Sequence, residues 1–373
     1  MKIFNAAVHF FYKHITKRIL FLINPEIVHA RATAIGKSLG QSPLAKKILA
    51  LAFSRKNLAL SQTIFGISFF SPIGLAAGFD YKAELTQILP ALGFGFGSIG
   101  TLTNQACQGN FGPMLGRLPR SKSLMVNKGF KNSGVEATLQ TLQNKSFAYP
   151  VGVSIGKTNT AGIKTQQEAV NDVALGFIKA EASGVPFAYY ELNISCPNLM
   201  GSIEFYQPTH LEELLAAVQS LNMLRPIFIK MPITKTDQEV IKMMDVIIKY
   251  SCIKAVIFGN LQNNRQNPVL QSDEVKKFPV GNFSGLPCQQ RSDELIALVF
   301  KKYGTRIKII GCGGVFCTSD AYRKIKLGAH LVQLITGLVY EGPQLVSQIN
   351  DELALMLSKD GYQNISQAVG IEA

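Results

Sequence analysis

The stretch Phe187-Ala-Tyr-Tyr-Glu-Leu-Asn-Ile-Ser-Cys-Pro-Asn198 joins a hydrophobic, aromatic run to a polar loop. A short apolar run that gives way to turn-forming residues predicts a buried strand, so Asn193 and Cys196 should lie where that strand ends. Two carboxamides with a thiol between them can grip a planar polar ring and remove a proton from it. The stretch therefore predicts a catalytic loop at the end of a buried strand.

Similar apolar runs recur from residue 71 onward, and helix-length amphipathic segments separate them. The runs are Pro72–Ala76, Gly95–Ile99, Val151–Ile155, Ala188–Leu192, Pro226–Ile229, Ala255–Phe258, Ile307–Ile310 and Leu331–Leu334. Parallel strands need helical crossovers, and eight such strands close into a filled barrel. The pattern predicts an α/β protein with a (β/α)8 TIM barrel. A doubly wound sheet stays open as an alternative, although no early GxGxxG is followed by the acidic residue typical of that fold.

Glycines and polar residues follow these runs at corresponding positions. They are Ala77-Gly78, Gly100-Thr101, Gly156-Lys157, Asn193, Lys230, Gly259-Asn260, Gly313-Gly314 and Thr336-Gly337. In a TIM barrel such positions converge on the C-terminal face, where active sites are built. Backbone N–H groups can approach an anion only where side chains are absent. The glycines after the seventh and eighth runs therefore predict a site for a phosphorylated cofactor.

Composition and charge narrow the class of protein. The chain has 373 residues, of which 47% are hydrophobic and 17% charged, enough for one large α/β domain with a small appendage. The net charge is +14, and the first 60 residues hold ten lysines and arginines against one acid, Glu26, a local excess of +9. Nucleic acid, anionic lipid or an organelle address can each explain such a segment. The six cysteines form no CxxC pair, so no metal site is expected.

The N-terminal segment has the periodicity of a helical hairpin. One apolar stripe comprises Phe4, Val8, Phe11, Ile15, Ile19 and Leu22, and a second comprises Val28, Ala32, Ile35 and Leu39. Asn24-Pro25-Glu26 between them is typical of a helix N-terminus. Residues 1–45 are expected to form this amphipathic hairpin, and residues 46–373 a barrel with a short lead-in.

The charges of the first helix bear on its relation to a membrane. Lys13, His14, Lys17 and Arg18 interrupt it, and each would cost ~3 kcal/mol at a bilayer centre, so a spanning helix is not expected. A basic hairpin in the membrane interface is favoured, with a hairpin packed on the protein's own core as the alternative. Nucleic-acid binding is not expected, because no recognition motif is interleaved with the basic residues.

Several segments, in order from about residue 24 to 345, resemble dihydroorotate dehydrogenases of the membrane-associated, quinone-reducing class. They are Asn24–His29, Pro72–Asp80, Gly97–Thr103, Gly116–Leu118, Asn127–Phe130, Asn193–Asn198, Ile229-Lys230, Phe283–Gly285, Ile310–Gly314, Leu331–Gln333 and Gly342-Pro343. The resemblance implies an FMN enzyme that oxidises dihydroorotate to orotate in pyrimidine synthesis and reduces membrane quinone. It also implies peripheral attachment to an anionic membrane surface, in a bacterium at the cytoplasmic face of the inner membrane.

The resemblance assigns roles residue by residue. Cys196 would be the base that takes the proton from C5 of dihydroorotate. The substrate-binding residues would be Asn127, Asn193, Asn198, Asn260 and Lys82. The FMN-binding residues would be Ala76, Ala77, Gly78, Thr101, Ser154, Lys230, Gly285, Gly313, Gly314, Thr336 and Gly337. The quinone tunnel would include His29 and Arg117, for which a surface position and an ion pair with a surface acid are the respective alternatives.

The chain departs from that class at several positions. Cys196 stands where the quinone-reducing class has serine, and a thiol with a pKa near 8.5 is a better base than a hydroxyl. Tyr81 replaces a lysine, with Lys82 one step on, and Asn260 is flanked by Gly259 and Leu261. Ser154 replaces an asparagine, and the segment at Asn127 is one residue shorter. Two alternatives therefore stay open: a flavin-binding paralogue with a changed substrate, and a non-catalytic barrel that binds membranes.

Overall fold

A computed structural model describes residues 2–201 and 203–373 of the chain. Met1, the first residue of the expected hairpin, and Ser202 lie outside the described residues.

The strands confirm the predicted barrel. They are β1 Gln62–Ile64, β2 Ile67–Phe69, β3 Ile73–Leu75, β4 Phe96–Thr103, β5 Leu115–Leu118, β6 Ser123–Val126, β7 Val151–Gly156, β8 Tyr189–Asn193, β9 Ile227–Met231, β10 Ile253–Phe258, β11 Asn282–Gly285, β12 Lys308–Cys312 and β13 Leu331–Leu334. Eight of them close a parallel barrel in the order β3-β4-β7-β8-β9-β10-β12-β13. Each of the eight predicted runs overlaps one barrel strand, and closure of the sheet excludes the doubly wound alternative.

The helices surround this barrel and extend it at the N-terminus. They are α1 Lys2–Phe11, α2 Lys17–Leu22, α3 Pro25–Gln41, α4 Pro43–Phe53, α5 Val135–Gln140, α6 Gln166–Ala182, α7 Pro208–Ser220, α8 Asp237–Ile247, α9 Ser272–Val275, α10 Gln289–Tyr303, α11 Thr318–Lys326, α12 Thr336–Glu341 and α13 Leu345–Lys359. A π-helical turn, Tyr12–Thr16, joins α1 to α2. Crossover helices α6 and α8 begin at threonine-glutamate capping boxes, which satisfy their first N–H groups.

Aromatic rings fill the lower half of the barrel. The rings of Tyr189 and Phe228 stack with centroids 4.6 Å apart, and Phe96 packs edge-on against Tyr189. Two strand glycines make room for them, because a Cβ at Gly74 would lie 2.4 Å from the Phe96 ring and one at Gly152 would lie 2.1 Å from the Tyr189 ring. The antiparallel pair β1–β2 packs its buried residues into the same cluster. The N-terminal end of the barrel is therefore filled by side chains, and space for a ligand remains at its C-terminal end.

The first two helices dock on the barrel through polar side chains. Asn5 Nδ2 donates to Ser347 Oγ (3.1 Å), and Tyr12 Oη donates to the carbonyl of Val339 (2.7 Å). Lys17 Nζ donates to the Tyr340 carbonyl at 3.1 Å. Apolar contacts add to these bonds, since the Phe21 ring packs edge-on against Tyr340 and the Phe4 ring lies 5.5 Å from that of Phe53.

The predicted apolar stripe lies largely in solvent. Its members Phe4, Phe11, Ile15, Ile19 and Leu22 are between 45% and 88% exposed. Water-soluble surfaces seldom carry a contiguous group of large apolar side chains without a binding role. Within the described residues, no helix combines the length and the hydropathy needed to span a bilayer.

The third and fourth helices frame the entrance to the barrel. Asn24 Oδ1 accepts from the N–H of Glu26 (2.8 Å), which confirms the predicted start of α3. The sequence did not predict α4 as a separate helix, and the expected domain boundary at residue 45 falls inside it. A three-stranded antiparallel sheet, β11-β6-β5, was likewise not predicted. The N-terminal helical segment therefore extends to Phe53.

Candidate functional site

One cavity of about 590 Å³ runs from the C-terminal ends of the barrel strands to the N-terminal helices. At its polar end it is lined by glycines, carboxamides and Lys230, which lie at or just after the C-terminal ends of β3, β4, β8, β9, β10, β12 and β13. At its apolar end the lining residues are Leu20, Val28, Ala32, Ile35, Leu39, Leu49, Phe53, Leu85, Ile88, Leu89 and Leu92. The second predicted stripe, on α3, therefore lines this cavity.

The structure brings most of the predicted site residues together in this cavity. Those that line it are His29, Ala76, Ala77, Gly78, Thr101, Arg117, Asn193, Cys196, Asn198, Lys230, Asn260, Gly285, Gly313, Gly314, Thr336 and Gly337. Three others do not line it: Lys82 is exposed, and Asn127 and Ser154 are buried behind the wall.

The loops after β12 and β13 form a glycine cradle. Gly313 and Gly314 have φ values of +107° and +70°, which favour glycine. A Cβ at Gly314 would lie 2.3 Å from Gln289 Cβ, and a Cβ at Gly337 would lie 2.0 Å from the Val315 carbonyl oxygen. Packing thus excludes side chains here and leaves backbone facing the cavity. The cradle fits the phosphate of FMN.

Lys230 supplies a buried positive charge on the cavity wall. It lies at the end of β9, in register with Asn193 on β8, and is only 4% exposed. No hydrogen bond or ion pair of its ammonium is found in the described part of the chain. A buried ammonium without a protein partner is costly. An electron-rich ligand ring beside it would offset this cost, so Lys230 also fits a flavin site.

Cys196 reaches the cavity from the loop after β8. It is half-buried, and burial raises the pKa of its thiol to about 11, while the Asn198 N–H and the charge of Lys230 lower it. The unperturbed pKa assumed from sequence therefore does not apply. The thiol is mostly protonated near neutral pH, and Lys230 partly favours its thiolate.

A hydrogen-bonded network orients the carboxamides around this thiol. Asn193 Nδ2 donates to Thr101 Oγ1 (2.8 Å), and Ser195 Oγ donates to Asn193 Oδ1 (3.1 Å). Asn260 Nδ2 donates to Ser195 Oγ at 2.6 Å. Ser154 stands behind Thr101, with hydroxyls 2.9 Å apart. Ser154 therefore lies behind Thr101 and contacts the cavity wall without being part of it.

A second group of carboxamides is tied up in the loops. Asn198 donates to the Val126 carbonyl (2.9 Å) and accepts from Asn282 (2.6 Å). Asn127 donates to the Phe111 carbonyl (3.1 Å) and accepts from Asn110 (3.1 Å). In this arrangement Asn127 does not reach the cavity, because both ends of its amide are bound within the loops.

Lys128 is a cavity residue that the sequence did not single out. Its ammonium lies 4.4 Å from the centroid of the Tyr81 ring. The exposed Lys82, in contrast, does not contribute to the lining. The available signal was weak: Lys128 is the one charged residue within Asn127-Lys-Gly-Phe130.

An aromatic column stands between the polar and apolar ends. The His29 ring stacks on Tyr81 (5.5 Å, 16°) and meets Phe79 edge-on (4.9 Å). Burial, together with the nearby charges of Lys128 and Lys82, lowers the pKa of His29 to about 3. His29 is therefore a neutral member of the cavity wall.

Arg117 is held by the end of the second helix. Its Nη1 donates to the Ile23 carbonyl (2.7 Å), and its guanidinium lies 4.7 Å from the centroid of the Phe21 ring. Carbonyls at a helix C-terminus attract positive charge. Arg117 thus joins β5 to the helix end. Among the residues that the structure describes it forms no ion pair with a surface acid, which was the alternative.

Comparison with known proteins gives a consistent family. The model of the family described as dihydroorotate dehydrogenase matches residues 59–357. A dihydroorotate dehydrogenase (quinone) of Mycobacterium sp. (strain KMS) is 32% identical over 357 residues, which cover 96% of this chain and 98% of that one. Its namesake from Roseiflexus castenholzii is 33% identical over 369 residues, 96% of each chain. The crystal structure of DHODH from Eimeria tenella in complex with ferulenol superposes with a TM-score of 0.81 at 26% identity, covering 93% of this chain and 95% of that one.

Proposed function

The chain belongs to the dihydroorotate dehydrogenase family, and on that premise we propose that it oxidises dihydroorotate to orotate with FMN and passes the electrons to a membrane quinone. The observation that carries this proposal is the cavity of about 590 Å³ that joins a glycine-lined polar end to an apolar end among the N-terminal helices. A reaction between a polar ring and an apolar acceptor needs both environments in contact with one cofactor.

The residues at the polar end are suited to hold FMN. Gly313, Gly314, Thr336 and Gly337 would receive its phosphate, and Ala76, Ala77, Gly78 and Thr101 would line its ring. Lys230 would lie beside that ring, where a cation stabilises added negative charge. When bound, FMN supplies the acceptor for the hydride that leaves C6 of dihydroorotate.

The chain's own task is to hold the substrate and move one proton. Asn193 and Asn260, fixed by Ser195 and Thr101, would bind the ring amides. Cys196 would take the C5 proton, so that each turnover removes one proton and one hydride from the substrate and forms the C5–C6 double bond. Lys230 favours the thiolate that accepts this proton.

The apolar end supports a lipid-soluble acceptor. The residues of α3 and α4 that line it offer hydrophobic contacts, and His29 and Arg117 lie on the same wall. The exposed stripe on α1 and α2 and the +9 charge of residues 1–60 would place this end against an anionic membrane. We therefore propose peripheral membrane attachment, at the cytoplasmic face of the inner membrane in a bacterium.

One observation favours a second candidate, a flavin enzyme with a changed ring substrate. Tyr81 and Leu261, at positions where the family has other residues, both line the cavity. Their ring and isobutyl group would contact a substrate of a different outline. Such an enzyme would remove a proton and a hydride as proposed for dihydroorotate, but from a different ring that fits the cavity.

The test uses the purified full-length chain. Its visible spectrum should show flavin bands, dihydroorotate should bleach them without oxygen, and a short-chain ubiquinone should restore them faster than fumarate or NAD. A colourless protein that cannot be reconstituted with FMN would favour a non-catalytic barrel. A yellow protein that dihydroorotate never bleaches would favour the changed substrate, and one reoxidised only by a water-soluble acceptor would remove the quinone from the proposal.

A further inference from the structure

The charges on the cavity wall are all of one sign. Four cationic residues line it: Arg117, Lys128, Lys131 and Lys230. Among the described lining residues there is no aspartate or glutamate. A chamber lined by one sign of charge concentrates ligands of the opposite sign. The cavity is therefore suited to anionic ligands beyond the phosphate of a cofactor.

Two of these cations are already engaged by the protein. Arg117 donates to the carbonyl of Ile23 (2.7 Å), and Lys131 Nζ lies 3.8 Å from the sulfur of Met114. The ammonium groups of Lys128 and Lys230, in contrast, have no hydrogen bond or ion pair within residues 2–201 and 203–373. Lys230 belongs to the proposed flavin site, so Lys128 is the cation left for another anion.

Lys128 lies beside the substrate loop. The carbonyl of Val126, two residues earlier, accepts from Asn198 (2.9 Å), and Asn110 donates both to Asn127 (3.1 Å) and to the carbonyl of Asn198 (2.7 Å). These bonds tie the segment that carries Lys128 to the loop that carries Cys196.

The surroundings of the ammonium are poor in compensating groups. The Tyr81 ring faces it at 4.4 Å, a contact worth ~0.5–2 kcal/mol. Burial lowers the pKa of Lys128 to about 8, and the charge of Lys131 acts in the same direction against that of Glu26. A bound anion would stabilise the charged form.

We infer that the Lys128 ammonium binds the carboxylate of the ring substrate and so selects carboxylated rings. The inference rests on the proposed function and adds a residue to it. Lys82 is exposed and outside the cavity wall, and Tyr81 cannot form an ion pair, so the carboxylate contact falls to Lys128. It is a binding residue for the substrate and takes no part in proton transfer.

The test compares ligands that differ only in charge. Orotate and orotate methyl ester are titrated into the oxidised, FMN-loaded protein, and perturbation of the flavin spectrum reports binding. Lys128→Met should weaken orotate binding about 10- to 100-fold, the worth of a hydrogen bond to a charged group, and should leave ester binding almost unchanged. Wild type should lose its preference for orotate over the ester above about pH 8, where Lys128 loses its charge. Lys128→Arg should keep this preference at higher pH, because arginine stays charged. Lys131→Met is the matched control, since it removes the same charge from the same loop.

The outcomes separate this inference from the function on which it rests. A wild-type spectrum that does not respond to orotate overturns the proposed function and the inference with it. If Lys128→Met binds orotate as tightly as wild type does, the inference alone is overturned. The same holds if Lys128→Met loses as much affinity for the ester as for orotate. A loss of orotate binding in Lys82→Met instead would assign the carboxylate to Lys82. Flavin content and thermal stability of each variant establish that it is folded.

Discussion

Replacing Cys196 by alanine or serine separates the proton acceptor from the shape of the loop that carries it. The side chain is half-buried, and the neighbouring Asn193 and Asn260 are held by Ser195 rather than by the thiol. Alanine should therefore leave FMN and substrate binding in place. The loss should fall on the rate at which dihydroorotate bleaches the flavin, by roughly 10²–10⁴-fold, the usual contribution of a general base.

The pH dependence follows from the burial of the thiol. Its pKa is raised to about 11. Below that pH the thiolate fraction grows about tenfold with each pH unit, from roughly 10⁻³ at pH 8 to roughly 10⁻² at pH 9. The limiting rate in wild type should therefore rise with pH and not level off before about pH 10, whereas an unperturbed thiol would level off above about pH 9. Serine, a weaker acid, should give a lower rate at every pH with the same upward slope.

The assay is anaerobic stopped-flow bleaching of the flavin at saturating dihydroorotate. Saturation matters because Lys128, whose pKa is lowered to about 8, loses charge over the same range and should affect substrate affinity. A wild-type rate that is flat above pH 9 would show that the thiol is not perturbed as burial implies. An alanine variant that bleaches at the wild-type rate would mean that another group takes the proton.

Two further predictions concern the cofactor cradle and the exposed stripe. Gly314→Ala should lose FMN, because its Cβ would lie 2.3 Å from Gln289 Cβ at a φ of +70°, a strain of ~1–3 kcal/mol. Gly361→Ala is the matched control, since its φ is +82° and its Cβ would meet open space. Equal flavin-to-protein ratios in the two variants would refute the assignment of the cradle to FMN. Leu22→Glu should weaken binding to anionic liposomes and change thermal stability by no more than ~0.5 kcal/mol. Asn5→Ala, which breaks a hydrogen bond to the barrel, should lower thermal stability and leave liposome binding unchanged. Unchanged liposome binding by Leu22→Glu would argue against a membrane role for the stripe.

The elements predicted correctly are those whose signal is local. The strand at Val151–Gly156 is buried at every residue and apolar except for Ser154, as is typical of a strand covered on both faces. The start of α3 was predictable because Asn24, Pro25 and Glu26 each act on the first helical turn. The pairing of β6 with β11 was not predictable, because these strands lie more than 150 residues apart and no local pattern records that pairing. The neighbouring strands β5 and β6 pair locally, and neither was identified as a strand from the sequence.

In the site, the sequence predicted which segments reach the cavity better than it predicted which side chains face into it. Residues at the C-terminal end of a strand, such as Asn193 and Lys230, reach the cavity because the strand ends converge. Asn127 and Lys82 lie in loops, where a single residue of offset decides which side chain faces inward. The segment at Asn127 turns its carboxamide into the loop and presents Lys128 instead. Sequence spacing alone does not contain that rotation, since it depends on hydrogen bonds with Asn110 and Phe111.

The outward-facing stripe on α1 and α2 determines which concentration of the electron acceptor the protein would meet. If the cavity opens towards lipid, as proposed, a long-chain quinone would arrive by lateral diffusion within the bilayer rather than through water. Its effective concentration would then be a mole fraction of the lipid, not a molarity. Adding inert lipid or detergent at constant quinone should slow reoxidation by surface dilution, while bleaching by dihydroorotate stays the same.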